Sequence, residues 1–186
     1  MFDAPNERWA ERSYEATDFA EADLEGLVTT GCVFLECDFG AANLSRSRHE
    51  RSTFVACNFR GARLTDAVFA GCKLGGSNFL DAQVRGLAFD GGDLSAAALG
   101  GLDLRGRDLC GVRLAQASLV DTDLSGSFLA GADLRGVRIG NKKLRDVDLR
   151  GALLDGFDPR RADLRGARID LEHAIAFAAV FGVVIG

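Results

Sequence analysis

The sequence predicts an all-β solenoid, a chain coiled on short extended sides and closed by a short C-terminal helix. Three observations carry that expectation. Large apolar residues recur every five positions along almost the whole chain. Glycine is abundant while proline is nearly absent, at 23 and 2 of 186 residues. The five-residue register then stops before an apolar stretch with the end signals of a helix.

The period is plainest between Gly131 and Gly151, where Leu134, Ile139, Leu144 and Leu149 fall five apart. Followed in both directions, the same register runs unbroken from Tyr14 to Ile169, through Phe19, Leu24, Phe34, Phe39, Leu104 and Leu119 among others. Of its 32 positions only Thr29, His49 and Pro159 are not large and apolar. Two residues before many of these centres stands a small side chain, as at Ala22, Cys32, Cys57, Ala62 and Ala132. Directly before the centre comes Asp or Asn fourteen times, and two residues after it comes Gly sixteen times. Fixed periods of this kind announce repeat architectures.

Two inward residues spaced two apart suit an extended backbone, in which alternate side chains share a face. The next inward residue is three further on, so the chain bends once in five residues. Gly, Asp or Asn at the bend is ordinary turn chemistry. A helix fails, because a five-residue step turns roughly 500° and would scatter the apolar residues over every face. The coils instead bury their apolar faces on those above and below.

The three exceptions have structural readings. Thr29 and His49 lie twenty residues apart and would stack on one side as a satisfied polar pair or a local widening. Pro159 lacks the N–H that a ladder needs and is expected to distort the last coil. Cys32, Cys37, Cys57 and Cys72 occupy the small inward position and read as core filler. Their spacings are set by the repeat and match no zinc pattern. Cys110 falls outside the inward pattern and reads as an exposed thiol. No metal, cofactor or catalytic residues are assigned, since no constellation forms around His49 or His173 and no phosphate-binding loop is present.

The chain divides into an N-terminal cap at 1–13, the repeat at 14–170, and a C-terminal dimerisation helix and tail at 171–186. In the last segment Asp170 reads as N-cap, Glu172 lies in the first turn and Gly182 follows the end. Val183–Ile185 is expected to add a short strand. Ala174, Ile175, Phe177, Ala178, Val180 and Phe181 cover more than one face, so the helix needs burial on two sides. One side caps the open end of the solenoid. The other is assigned to a homodimer interface made with a twofold copy. No signal peptide and no apolar run long enough to span a bilayer are visible, so the expectation is a cytoplasmic protein with no membrane partner.

The motif small–Asp/Asn–Leu/Phe–x–Gly, repeated about 31 times, resembles the pentapeptide-repeat family. That resemblance implies a right-handed quadrilateral parallel β-helix, four pentapeptides to the coil and about eight coils. Within the family, several stretches are similar to the gyrase-directed members linked to fluoroquinolone resistance. They are Trp9, Cys37-Asp-Phe39, His49, Gly100-Gly-Leu-Asp-Leu-Arg-Gly106, Ser118-Leu-Val-Asp-Thr-Asp-Leu124 and Asp170-Leu-Glu-His-Ala-Ile-Ala-Phe-Ala-Ala179. The resemblance implies a non-enzymatic dimer whose rod imitates duplex DNA and occupies the DNA-binding saddle of DNA gyrase, a type II topoisomerase. It would inhibit the enzyme, protect it from quinolones, or confer immunity to a topoisomerase poison. The acids that would face gyrase are Asp18, Glu21, Asp23, Glu25, Asp103, Asp121, Asp123 and Asp133.

Charge bears on that reading independently. The net charge of −5 argues against direct nucleic-acid binding and permits a DNA mimic. It is unevenly spread: residues 1–93 carry 15 acids and 9 bases, residues 94–186 carry 12 acids and 13 bases. No side of the solenoid gathers a strong acidic stripe, and Asp18, Glu21, Asp23 and Glu25 form the densest acidic patch. The alternative is an interaction scaffold for another protein, without DNA mimicry.

Overall fold

The computed structural model describes residues 3–140 and 143–185 as one four-sided parallel β-solenoid with a short helix at its end. Every pairing joins residues twenty apart, so each coil has four five-residue sides. One side runs through the strands Ser13–Glu15, Val33–Leu35 and Thr53–Val55 and continues through bridges at Lys73, Asp93, Arg113 and Asp133 to Leu153. That side has eight levels joined by seven steps, about 34 Å at a strand spacing of ~4.8 Å. Pairing also reaches into the segment expected as an N-terminal cap. Arg8–Ala10 is already a strand paired with Val28–Thr30, and Trp9 is buried.

The corners explain the motif. The backbone N–H two residues past an Asp or Asn donates to its Oδ1, as from Ala20 to Asp18 at 2.8 Å and from Gly40 to Asp38 at 2.7 Å. At many corners the N–H three residues past the centre donates to the centre's carbonyl, as from Ala22 to Phe19 at 3.1 Å. The residue two past the centre has φ between 45° and 79° at every corner from Ala16 to Gly136, and again at Asp146, Gly151, Gly156 and Gly166. These are the marks of a type II turn, whose third position favours glycine. Non-glycine residues occupy the left-handed conformation there too, Glu21 and Asp81 among them. The surrounding ladder holds them in a region that L-residues otherwise avoid.

Inside, side chains stack at the pitch of the coils. Phe19, Phe39, Phe59 and Phe79 form one column with rings 4.8–5.0 Å apart and nearly parallel. Tyr14, Phe34 and Phe54 form a second at 5.3 and 4.6 Å. Edge-to-face contacts join the columns, as between Phe34 and Phe39, an arrangement worth roughly 0.5–1.5 kcal/mol per pair beyond area burial. Beyond Phe89 the centres are chiefly leucine.

Pro159 does distort its coil: Pro159–Arg161 is a 3₁₀ turn where a side would otherwise be. The helix α1 (Leu171–Val180) follows. Asp170 takes the N-cap position with extended backbone, but its side chain does not cap the helix. Its Oδ2 instead accepts from the Gly151 N–H of the last coil at 2.6 Å. The expected strand at Val183–Ile185 is not formed; these residues are exposed and irregular.

Apart from the coils around Pro159, where Arg138 to Asp158 and Lys143 to Asp163 also lack bridges among the described residues, one interface between coils is incomplete. Residues 61–71 bond to 80–90 through Gly61→Leu80, Leu64→Gln83, Asp66→Arg85 and Gly71→Asp90, and residues 101–111 bond to 120–130 in the same way. Between 81–91 and 100–110 none of the equivalent bonds is made among the described residues. Two bridges are missing with them, Gln83 to Asp103 and Ala88 to Asp108. The other two sides stay joined, through Asn78–Ala98–Ser118 and Lys73–Asp93–Arg113. The coils therefore part along two adjacent sides and hold along the other two.

Candidate interaction surface

His49 and the buried cysteines make no reactive centre. The His49 Nδ1 lies 2.9 Å from Thr29 Oγ1, and its Nε2 lies 2.9 Å from Ser47 Oγ. The ring is fully buried against Phe54 and Phe69, and burial pushes its pKa down to about 3. It is the satisfied polar pair with Thr29 that the twenty-residue spacing suggests. Cys32, Cys37, Cys57 and Cys72 are buried, and burial raises the Cys57 and Cys72 thiols to about 12 and about 11. Cys110 is exposed, with Asp108 beside it raising its thiol pKa. No group of side chains suited to a metal ion occurs among the described residues.

The two ends of the outer surface differ. In the C-terminal half, Asp-Leu-Arg segments fold each arginine back onto the aspartate two residues earlier. Arg105 grips Asp103 through Nε at 2.8 Å and Nη2 at 2.6 Å, while its own backbone N–H donates to the same carboxylate. The same fork joins Arg135 to Asp133, Arg150 to Asp148 and Arg165 to Asp163, and Arg160 grips Asp158 across Pro159. Asp and Arg flank one inward residue, so both point outward at the same corner and the planar guanidinium meets the carboxylate edge-on. Hydrogen bonding from Arg105, with Arg107 adding to it, holds Asp103 down at about 2, and Arg150 does the same for Asp148. Arg135 likewise lowers Asp133, which is buried.

The first coils differ. Asp18, Glu21 and Asp23 are exposed and make no ion pair among the described residues, while Glu25 pairs with Arg46. Asp23 accepts from Asn43 Nδ2 at 3.0 Å, and Asp38 from Asn58 Nδ2 at 2.8 Å. Asparagine thus continues the aspartate columns up the rod without adding charge. Of the other acids expected to face a partner, Asp123 lies 4.0 Å from Arg105, and Asp121 occupies an exposed corner with φ 65°. The eight acids do not form one patch. Four sit at the N-terminal end, and Asp103, Asp123 and Asp133 lie among arginines.

At the far end, α1 turns Phe177 onto the solenoid, stacked on Phe157 at 5.9 Å, and His173 Nε2 meets the Ala152 carbonyl at 3.0 Å. Ala174 and Ala178 are half-buried with them. Ile175, Val180 and Phe181 are exposed. So are Leu171, Val183, Val184 and Ile185, which the residue pattern alone did not single out. An apolar surface of this extent is what association sites present.

The repeat itself matches a known family. Residues 57–95, 97–136 and 143–175 match pentapeptide repeats, in eight copies. The chain belongs to the pentapeptide-repeat family. Over 49 residues it is 41% identical to the pentapeptide repeat protein MfpA of Mycolicibacterium smegmatis, covering 26% of each protein. Over 51 residues it is 44% identical to MfpA of Mycobacterium tuberculosis, covering 27% of this chain and 28% of that one. The chain thus aligns with about a quarter of the length of these relatives. Its fold matches QnrB1, a plasmid-mediated fluoroquinolone resistance protein, with a TM-score of 0.75 at 21% identity, over 97% of this chain and 100% of that one. Among the described residues no helix is long and apolar enough to cross a membrane.

Proposed function

We propose that this protein binds DNA gyrase as a mimic of duplex DNA and so modulates the enzyme and its response to fluoroquinolones. The carrying observation is a rod whose first coils present Asp18, Glu21 and Asp23 exposed and without an ion pair among the described residues. Similarity to MfpA supports the reading. The protein works in the cytoplasm by binding, without catalysis or cofactor. A negative rod in a basic DNA channel is attracted over roughly a Debye length, ~8–10 Å at physiological salt. Purified protein is expected to inhibit gyrase supercoiling, with inhibition weakening several-fold between low and moderate salt. Unaltered supercoiling at every salt, with and without a fluoroquinolone, would remove this function. That outcome would leave the scaffold for another protein, a reading that the arginine forks of the C-terminal half support because they cancel its charge.

The rod is proposed to act as a homodimer joined at α1, doubling its length. Ala174, Ile175, Phe177, Ala178, Val180 and Phe181 are the interface residues assigned from sequence. Ile175, Val180 and Phe181 have the exposure for it, while Phe177 is engaged by Phe157. Ile175→Asp with Phe181→Asp is therefore the informative pair, leaving the docked face intact. Light scattering is expected to give a monomer with unchanged circular dichroism. A dimer persisting in this variant would place the interface elsewhere.

A further inference from the structure

The parted interface between 81–91 and 100–110 has a cause in the stacking columns. Along one side, the position two before each centre reads Leu27, Ser47, Ala67, Leu87, Arg107, Ser127 and Val147. Only at Leu87 and Arg107 do two long side chains fall on successive coils, where the pitch leaves room for one long and one small. The result is a cleft of about 870 Å³ on one side of Arg107 and another of about 400 Å³ on the other.

The larger cleft is lined by three arginines and two carboxylates, and the Asp66 carboxylate reaches over Gly86 at its edge. Both lining carboxylates are engaged, Asp81 by Arg60 at 3.1 Å and Asp103 by the fork from Arg105, with Arg107 acting on Asp103 only through its charge. Arg85 and Arg107 line it and make no ion pair among the described residues, and the buried Nε of Arg107 has no hydrogen-bond partner. The backbone N–H groups of Val84 and Gly86, which would donate to Asp103 and Arg105 in a closed ladder, find no backbone acceptor there. A buried donor left unpaired is unfavourable, and a charged one more so.

We infer that this cleft is a binding site for the oxyanion group of a small molecule, a phosphate or a carboxylate, held by Arg107 and Arg85 and by the unpaired amides of Val84 and Gly86. The guanidinium fork suits a planar or tetrahedral oxyanion better than a halide. The carbonyls of Asp103 and Arg105 on the opposite lip accept from a hydroxyl, which hydrogen phosphate and hydroxy-acids carry and chloride lacks. The site does not rest on the gyrase reading and lies away from the acids of the first coils, although Asp103 on its lip is one of the eight acids expected to face gyrase.

The test is a titration of the full ¹⁵N-labelled chain with inorganic phosphate, and separately with citrate, at ionic strength held constant with sodium chloride. The Arg107 Nε–H and the amides of Val84 and Gly86 are expected to shift saturably. The ladder-bonded amides of Leu44 and Leu149, in coils remote from the cleft, should stay still. Phosphate alone acting would identify a phosphoryl ligand, citrate alone a carboxylate, and both a site open to either. Arg107→Met keeps the bulk that parts the coils and is expected to weaken binding ~10-fold or more, as loss of a charge-assisted hydrogen bond does. Arg85→Met is expected to weaken it severalfold and serves if the first variant does not fold. No saturable shift with either anion, or unchanged affinity in the folded variants, would overturn the site.

Discussion

Leu119→Asp is expected to destroy the cooperative fold of the C-terminal coils. Leu119 is 3% exposed and occupies a centre position on the strand Ser118–Leu119, paired with Arg138–Ile139. An aspartate there would bury a carboxylate in the column between Leu99 and Ile139, and no lysine or arginine is buried among the described residues. Burying such a charge is opposed far more strongly than losing the leucine alone, and the combined loss is roughly 4–5 kcal/mol or more. That is a large part of the ~5–15 kcal/mol that keeps an ordinary domain folded. Because each coil is supported only by its neighbours, the damage spreads along the array. The melting temperature is expected to fall by more than ~10 °C, with loss of far-ultraviolet circular dichroism. Glu36→Gln, on an exposed corner, is the control and should melt with the parent. A Leu119→Asp chain melting with the parent would refute the inward placement of the whole register.

The second large effect is a pH dependence centred on His49. Unfolded, its imidazole titrates near 6.5; folded, burial lowers it to about 3. Between these values the unfolded chain binds the proton and the folded chain does not. Stability from this group is therefore full above pH 6.5 and is lost as pH falls from there towards the folded value. The loss is roughly 2 kcal/mol between pH 7 and pH 5. The urea midpoint is expected to track that decline. His49→Phe replaces the ring with one that matches Phe69 in the next coil and cannot titrate. It strands the Ser47 hydroxyl and leaves Thr29 only Ser52 Oγ at 3.0 Å, so its stability at pH 7 is lower, but its profile between pH 7 and pH 5 should be flatter by the amount stated. Parallel profiles for the two proteins would mean that His49 titrates in the fold much as it does in the unfolded chain.

Features set by the five-residue pattern were legible directly. The centres, the small inward cysteines, the exposed Cys110, the Thr29–His49 pair and the coil disturbed at Pro159 all follow from position in the register, because each coil repeats the same local geometry. The arginine forks were present as Asp-Leu-Arg, but their geometry depends on the corner bringing both side chains outward together. Less of the interaction surface was legible. The eight acids share a type but not an environment, and what separates Asp18 from Asp133 is the arginine beside the latter.

An unbroken period of five with glycine corners was enough to specify the solenoid, since it leaves the chain few other ways to bury its leucines and phenylalanines. The docked face of α1, held through Phe157 and Gly151, and the place where the ladder parts emerge only in three dimensions. Both depend on contacts between segments about twenty residues apart, which no local pattern describes. Only there do Leu87 and Arg107 come to line one cleft from successive coils, where the pitch does not accommodate two long side chains.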